Sequence, residues 1–296
     1  MKRVAVVGSG ISGLAAAQAL VPFAQVTLLE ADDRFGGHAH TVDITLPDAN
    51  GSPVTHGVDT GFLVYNERTY PELVRLFKTL GVDTAPAEMS FSVQSRADGL
   101  EWSGSDLGSI FAQRRNLIRP RFLSMLSAVL RFNRLATALA EASNDGDMSE
   151  PIGDFLDRHA FDADFRNWYL LPMVGSIWSC PTDQMLLFPV GTLIRFCHNH
   201  GLIRITDRPQ WFTVRGGSAR YVRKLLAHIG DARLSTPVRS IRRVPPHAGR
   251  VGVMVATDHG SERYDEVVLA CHSDQALALM ADATVAEAAV LGAIRT

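Results

Sequence analysis

Val4-Ala5-Val6-Val7-Gly8-Ser9-Gly10-Ile11-Ser12-Gly13-Leu14-Ala15-Ala16-Ala17 is the stretch from which the rest of the chain can be read. Residues 3–7 are a short apolar run stopped by glycine, the pattern of a strand buried on both faces. Residues 11–20 are rich in alanine and predict a helix. Residues 25–30 return to an apolar strand that ends on Glu30. Strand, helix and strand form a βαβ unit, so an α/β fold with a parallel sheet is expected. The turn between the first two elements has the spacing G-x-G-x-x-G. Gly8 permits the tight turn, Gly10 lets the backbone approach a pyrophosphate, and Gly13 lets helix and strand pack closely. The helix N-terminus adds N–H groups and the positive end of its dipole. Glu30 stands where a carboxylate accepts hydrogen bonds from ribose hydroxyls and repels a 2′-phosphate. A bound dinucleotide is the expectation.

Outward from that unit, composition sets the limits. The 296 residues suffice for two joined domains. With 46% hydrophobic and 20% charged residues the chain reads as globular, and a net charge of -2 gives no basic field for nucleic acid. Cys180, Cys197 and Cys271 are far apart and read as free thiols of a reducing compartment. The strand pattern begins by residue 3, with no leader before it, and no apolar run is long enough to span a bilayer, so a cytoplasmic protein is expected. Residues 40–46 predict a strand, 47–53 a polar turn, and 70–80 an amphipathic helix started by Pro71 and ended by Gly81. Residues 90–94 and 100–103 predict a hairpin around Arg96-Ala97-Asp98-Gly99. Residues 121–140 carry Phe122, Leu126, Val129, Leu130, Leu135 and Leu139 at helical spacing. A loop follows at 144–147, and residues 152–202 read as helical and aromatic, broken by Pro172, Pro181 and Pro189. A Gly-Gly turn and helix follow over 214–229, then strands at 238–244, 251–257 and 266–270. The expected organisation is a discontinuous α/β domain, residues 1–86 and 213–296, with an inserted α+β substrate domain at 87–212.

Glu30-Ala31-Asp32-Asp33-Arg34-Phe35-Gly36-Gly37-His38 resembles the E-x(3)-R-x-G-G element of the amine-oxidase and phytoene-desaturase flavoproteins. Arg34 offers a fork of donors to phosphate, and Gly36-Gly37 lets the chain pass close to a bulky ligand. Further resemblances lie in Gly57-Val58-Asp59-Thr60-Gly61-Phe62, in Val214-Arg215-Gly216-Gly217-Ser218, in Thr236-Pro237-Val238 and in Asp265-Glu266-Val267-Val268-Leu269-Ala270. A subgroup of predicted FAD/NAD-binding proteins is similar through Gly37-His38-Ala39-His40-Thr41, Tyr65-Asn66 and the stretch from Pro172 to Ser179. The resemblance implies a Rossmann-like FAD-binding domain with FAD as cofactor. Carried over position by position, it implies contacts from Gly8, Gly10, Ile11, Ser12, Gly13, Glu30, Ala31, Arg34, Gly36, Gly37, His38, Asp59, Thr60, Gly61, Phe62 and Val238. The family's last glycine-containing segment is not found in the 296 residues, so a C-terminally truncated FAD domain is expected.

In such enzymes the flavin carries the redox chemistry and the protein positions the substrate, so no acid–base triad is required and none is evident. Lys78 and Lys224 read as solvated, and His38 as a partner of either the flavin or the phosphates. His198 and His200 are two residues apart and face different sides of a helix, so no metal site is expected. Trp168, Tyr169, Met173, Trp178, Met185, Phe188 and Phe196 are either an apolar substrate pocket or a plain core. Arg114, Arg115, Arg119 and Arg121 precede an amphipathic helix, which suits a solvated face or an anionic membrane surface. The function expected is an FAD-dependent oxidoreductase that removes a hydride from an amine or from an apolar, fatty acyl or isoprenoid-like substrate, the aromatic stretch favouring the apolar one. A redox-neutral isomerase and a non-catalytic nucleotide-binding fragment are the alternatives.

Overall fold

The computed structural model describes residues 1–142, 149–178, 181–204, 208–247 and 250–294. The loop expected at 144–147, together with Ser179 and Cys180, lies outside the described residues. The chain divides into two compact units. One comprises Met1–Val64, Glu72–Ala85 and Phe212–Thr296; the other comprises Tyr65–Pro71 and Pro86–Trp211.

The first unit is built on a four-stranded parallel sheet. β1 (Lys2–Val7) pairs with β2 (Ala24–Leu29) on one side and with Glu266–Leu269 on the other, and Asp231–Arg233 adds beyond β2. Val4 through Val7 are buried, as the unbroken apolar run requires of a strand covered on both faces. α1 (Ile11–Leu20) lays Gly13, Leu14 and Ala17 against the sheet. Full burial of Val6, Leu14 and Leu28 contributes about 1.5–3 kcal/mol each. A three-stranded antiparallel meander, Val238–His247, Arg250–Thr257 and Gly260–Tyr264, shares a core with the parallel sheet through Val7, Leu29, Val238, Ile241, Val255 and Tyr264.

Several strands escape the hydrophobic pattern, among them Tyr65–Asn66, Thr84–Ala87, Trp211–Val214 and the three that follow. Gly260–Tyr264 is mostly polar; pairing with Arg250–Thr257 and burial of Tyr264 hold it. Pro53–Asp59, β4, pairs in register with β3 (Thr41–Pro47) through a turn that starts later than residue 47. Asp231–Arg233 is held by charge: Asp231 accepts from Arg233 and from Thr27 Oγ1 at 2.9 Å, and Arg233 also pairs with Glu262. The Arg233 guanidinium holds the Asp231 carboxyl below its usual range, with the Thr27 hydroxyl adding to the effect. A depressed folded-state pKa means that this contribution is present above about pH 4 and is lost as pH falls below it. Arg233→Ala is therefore expected to move the midpoint of acid unfolding to higher pH, checked by circular dichroism across an acid titration.

The second unit is a helical and aromatic core beside a short hairpin, Ser92–Ser95 with Leu100–Ser103. The helix Pro120–Glu141 buries Phe122, Met125, Phe132 and Ala136 along one stripe, the 3.6-residue periodicity of an amphipathic helix. Phe132 meets Phe155, Phe161 and Phe165, and Trp102 Nε1 donates to the Trp168 carbonyl at 3.1 Å. Trp168, Tyr169, Met173 and Met185 are buried in this core, the plainer of the two readings of that aromatic stretch. Trp178, Phe188 and Phe196 stay partly exposed, with Trp178 against both phenylalanines.

Candidate cofactor site

The site begins where β1 turns into α1. Gly8 takes φ +99° and donates to the Leu29 carbonyl at 2.8 Å, which fixes the turn on the adjacent strand end. Gly10 is the N-cap of α1, and no side chain caps that helix end. Its first-turn N–H groups have no acceptor within the helix, which leaves a donor-rich, positive terminus. Gly10 and Gly13 differ sharply. A Cβ on Gly10 would meet nothing within 4 Å, so open space lies in front of the helix end. A Cβ on Gly13 would lie well under 3.0 Å from the Gly8 carbonyl oxygen and 3.2 Å from Ala270 Cβ. Gly13 thus serves helix–strand packing, whereas Gly10 borders space of the kind a diphosphate fills.

Glu30 follows β2. One carboxylate oxygen accepts from the Ser9 N–H at 2.8 Å and from the Ser9 hydroxyl, and the other accepts from the Asp32 N–H at 3.0 Å. A carboxylate has about four acceptor positions, so roughly one remains for a ribose hydroxyl. Ser9, fully buried, is a residue that the glycine pattern passes over; its hydroxyl also accepts from Gly36 N–H at 3.1 Å. It ties the first glycine turn to the second. Thr236 N–H donates to the Glu30 carbonyl at 2.8 Å and Ser235 N–H to the Asp32 carbonyl at 2.9 Å, which brings Val238 to the same end of the sheet. Val238 is buried. Ala31 is exposed.

The second glycine turn closes against the first. Gly36 takes φ +117°, and a Cβ on Gly37 would stand 3.1 Å from Gly10 Cα. Arg34 Nη1 donates to the Gly37 carbonyl at 2.8 Å, so part of its fork braces its own loop. His38 is exposed, and its carbonyl accepts from Phe62 N–H at 2.9 Å. Thr60 N–H donates to the His40 carbonyl at 2.9 Å, and its hydroxyl meets His40 Nδ1 at 2.9 Å. A Cβ on Gly61 would collide with the His38 carbonyl. These bonds bring residues 36–40 and 59–62 together next to Gly10.

Asp59 is the hinge of a separate network. Its carboxylate accepts from Thr41 Oγ1 at 2.6 Å, from Ser218 N–H at 2.9 Å and from Ser218 Oγ at 2.8 Å. Thr41 Oγ1 accepts in turn from Ala219 N–H at 2.9 Å. Asp59 therefore locks the β3–β4 hairpin to the start of the helix Ala219–Leu226. Sequence reasoning missed Thr41 and Ser218 as members of this network, because side chains 177 residues apart give no local signal. Burial, with the Asp59 carboxylate as a second cause, pushes the Tyr221 hydroxyl up to about 12.

Residues 11–295 match the sequence profile described as flavin containing amine oxidoreductase. The chain belongs to the flavin-containing amine oxidoreductases. Its cofactor class is accordingly flavin, FAD. A stretch of 74 residues, 25% of this chain, is 45% identical to polyamine oxidase 5 of Oryza sativa subsp. japonica and covers 14% of that protein. Among solved structures, cyclohexylamine oxidase from Brevibacterium oxydans IH-35A is similar with a TM-score of 0.67 and 22% identity, over 98% of this chain and 63% of that one. The CLA-producing fatty acid isomerase from P. acnes is similar with a TM-score of 0.63 and 17% identity, over the same shares. Putrescine oxidase, in a form solved with putrescine bound, gives a TM-score of 0.61 and 21% identity, over 94% of this chain and 60% of that one. At these identities the structural likeness establishes the fold. The chain spans about three fifths of the length of these solved relatives.

Proposed function

We propose that this chain holds FAD with its diphosphate on the N-terminus of α1 and serves an oxidase that takes a hydride from the carbon beside an amine nitrogen. The observation that carries the cofactor half is the pairing of an uncapped helix end with open space at Gly10, walled by Gly37. Family membership and the likeness to polyamine oxidase 5 support the amine half. In this reading Glu30 takes a ribose hydroxyl, the backbone at Val238 lies by the adenine, and residues 36–38 and 60–62 border the flavin ring. Arg34 and Asp59 contribute by fixing those loops. Bound flavin supplies the two-electron acceptor. As the hydride leaves, the nitrogen lone pair becomes the second bond of a C=N group, and a proton is released if the nitrogen carried one.

Redox-neutral isomerisation of an unsaturated fatty acid is a second reading, favoured by the likeness to the P. acnes isomerase. The test is anaerobic mixing of the FAD-loaded protein with putrescine, spermine, cyclohexylamine and linoleic acid. Bleaching of the flavin band by an amine, with imine or aldehyde formed, is the expected result. An unbleached flavin with a rearranged fatty acid as product would establish the second reading instead.

A further inference from the structure

We infer that the second unit carries a surface that docks onto an anionic lipid bilayer, formed by the turn Arg114–Ile118 and the outer face of the helix Pro120–Glu141. Residues 107–140 hold six arginines, at 114, 115, 119, 121, 131 and 134, and no acidic residue, in a chain whose net charge is -2. The same stretch leaves large apolar side chains in solvent. Ile118 is 83% exposed and Leu107 76% exposed, and Leu117, Leu123 and Leu130 are exposed as well. Single exposed leucines are ordinary, but several within one basic stretch mark an interaction surface.

The helix shows how the surface is built. Its inner stripe buries Phe122, Met125, Phe132 and Ala136. Its outer stripe, Leu123, Ser127, Leu130, Arg134 and Ala138, is exposed and contains no acid. The turn Arg114–Ile118 is joined to the helix start by Phe122 and Leu123 N–H groups, which donate to the Arg119 carbonyl at 3.0 and 3.1 Å. Leu117 and Ile118 therefore precede the helix start directly, with Leu123 exposed in its first turn. Arg121 is neutralised by Asp164, at 2.8 and 2.5 Å. Arg115 and Arg131 donate to the neutral carbonyls of Gly99 and Ala160, whereas Arg119, which donates to the Asp98 carbonyl, also faces the Asp98 carboxylate. Arg114 and Arg134 are exposed.

Leucine and isoleucine inserted at headgroup level, rimmed by arginine, is the pattern of an element that lies in the membrane interface. No helix among the described residues is long and apolar enough to cross a membrane, so the surface rests on the bilayer. A nucleic acid would use the arginines but leave the leucines without a partner. This inference does not rest on the proposed amine chemistry.

The test is co-sedimentation of the full chain with phosphatidylcholine vesicles containing 30–40% phosphatidylglycerol, roughly, against phosphatidylcholine alone. Wild type is expected to bind the anionic vesicles at least about tenfold better than neutral ones, and to be released by 0.5 M salt, roughly, since screening shortens the reach of the arginines. A Leu117→Asp/Ile118→Asp variant and an Arg114→Glu/Arg134→Glu variant are each expected to lose most of the binding while keeping the wild-type melting temperature, because all four side chains are exposed. Undiminished vesicle binding by both variants would overturn the inference. So would a wild-type dimer, by light scattering, that Leu117→Asp/Ile118→Asp dissociates while vesicles go unbound. Binding to duplex DNA that only the arginine variant loses would likewise assign the face to another partner.

Discussion

Gly13→Ala is expected to destabilise the protein by about 2–3 kcal/mol, although alanine is the better helix former. Helix propensity alone favours alanine by roughly 1 kcal/mol. The added methyl, however, would meet the Gly8 carbonyl oxygen well under 3.0 Å, with Ala270 Cβ at 3.2 Å behind it. Those neighbours are backbone and a packed strand end, so neither gives way cheaply; overpacking of this kind costs about 1–3 kcal/mol and occasionally more. Steric cost therefore outweighs propensity, and the melting temperature should fall by several degrees, roughly. Gly10→Ala is the internal control. Gly10 has φ -61° and ψ 176°, a conformation open to any residue, and its Cβ meets nothing. Its effect on the stability of the flavin-free protein should stay within about 0.5 kcal/mol. Thermal unfolding of both variants without flavin checks the pair, and equal losses would refute the division of labour between the two glycines.

Asp59→Ala is expected to cost about 3 kcal/mol. The carboxylate accepts from Thr41 and twice from Ser218, and hydrogen bonds to a charged group contribute about 1.5–3 kcal/mol each before the losses overlap. Removing it also leaves the Ser218 N–H and Thr41 hydroxyl without that acceptor in a partly buried site. The β3–β4 hairpin should loosen first, because Asp59 is its tie to the helix Ala219–Leu226. Urea unfolding measures the cost, and amide exchange across residues 41–59 locates it. Asp59→Asn keeps an acceptor and should recover about half. A role confined to the flavin ring would give the opposite result: weaker flavin binding with stability and exchange unchanged.

The parts of the fold written in local pattern were legible. The first βαβ unit follows from apolar runs, glycine spacing and one carboxylate, and its helix spans the residues expected. The hairpin around Asp98 and the long helix of the second unit follow from alternation and from 3.6-residue spacing. What stayed hidden depends on distant partners. Asp231–Arg233 has no apolar signal, and its pairing with β2 rests on bonds to Thr27 and Glu262. Ser9 fills a position that the G-x-G-x-x-G spacing leaves unspecified, yet it joins Glu30 to Gly36. Thr41 and Ser218 meet only once the chain has closed on itself. Arg34 and Asp59 also brace protein loops, through the Gly37 carbonyl and Ser218 N–H, a role that residue type alone does not display.

A titration of the purified, flavin-stripped chain with FAD, read by quenching of flavin fluorescence, bears most directly on the cofactor site. One FAD per chain is the predicted stoichiometry for wild type, with affinity at least about tenfold weaker in Gly10→Ala at unchanged melting temperature, since about 1.4 kcal/mol of lost diphosphate contact is tenfold in affinity. Failure of the folded wild-type chain to bind FAD, or equal affinity in the two proteins, would contradict the placement of the diphosphate at the N-terminus of α1.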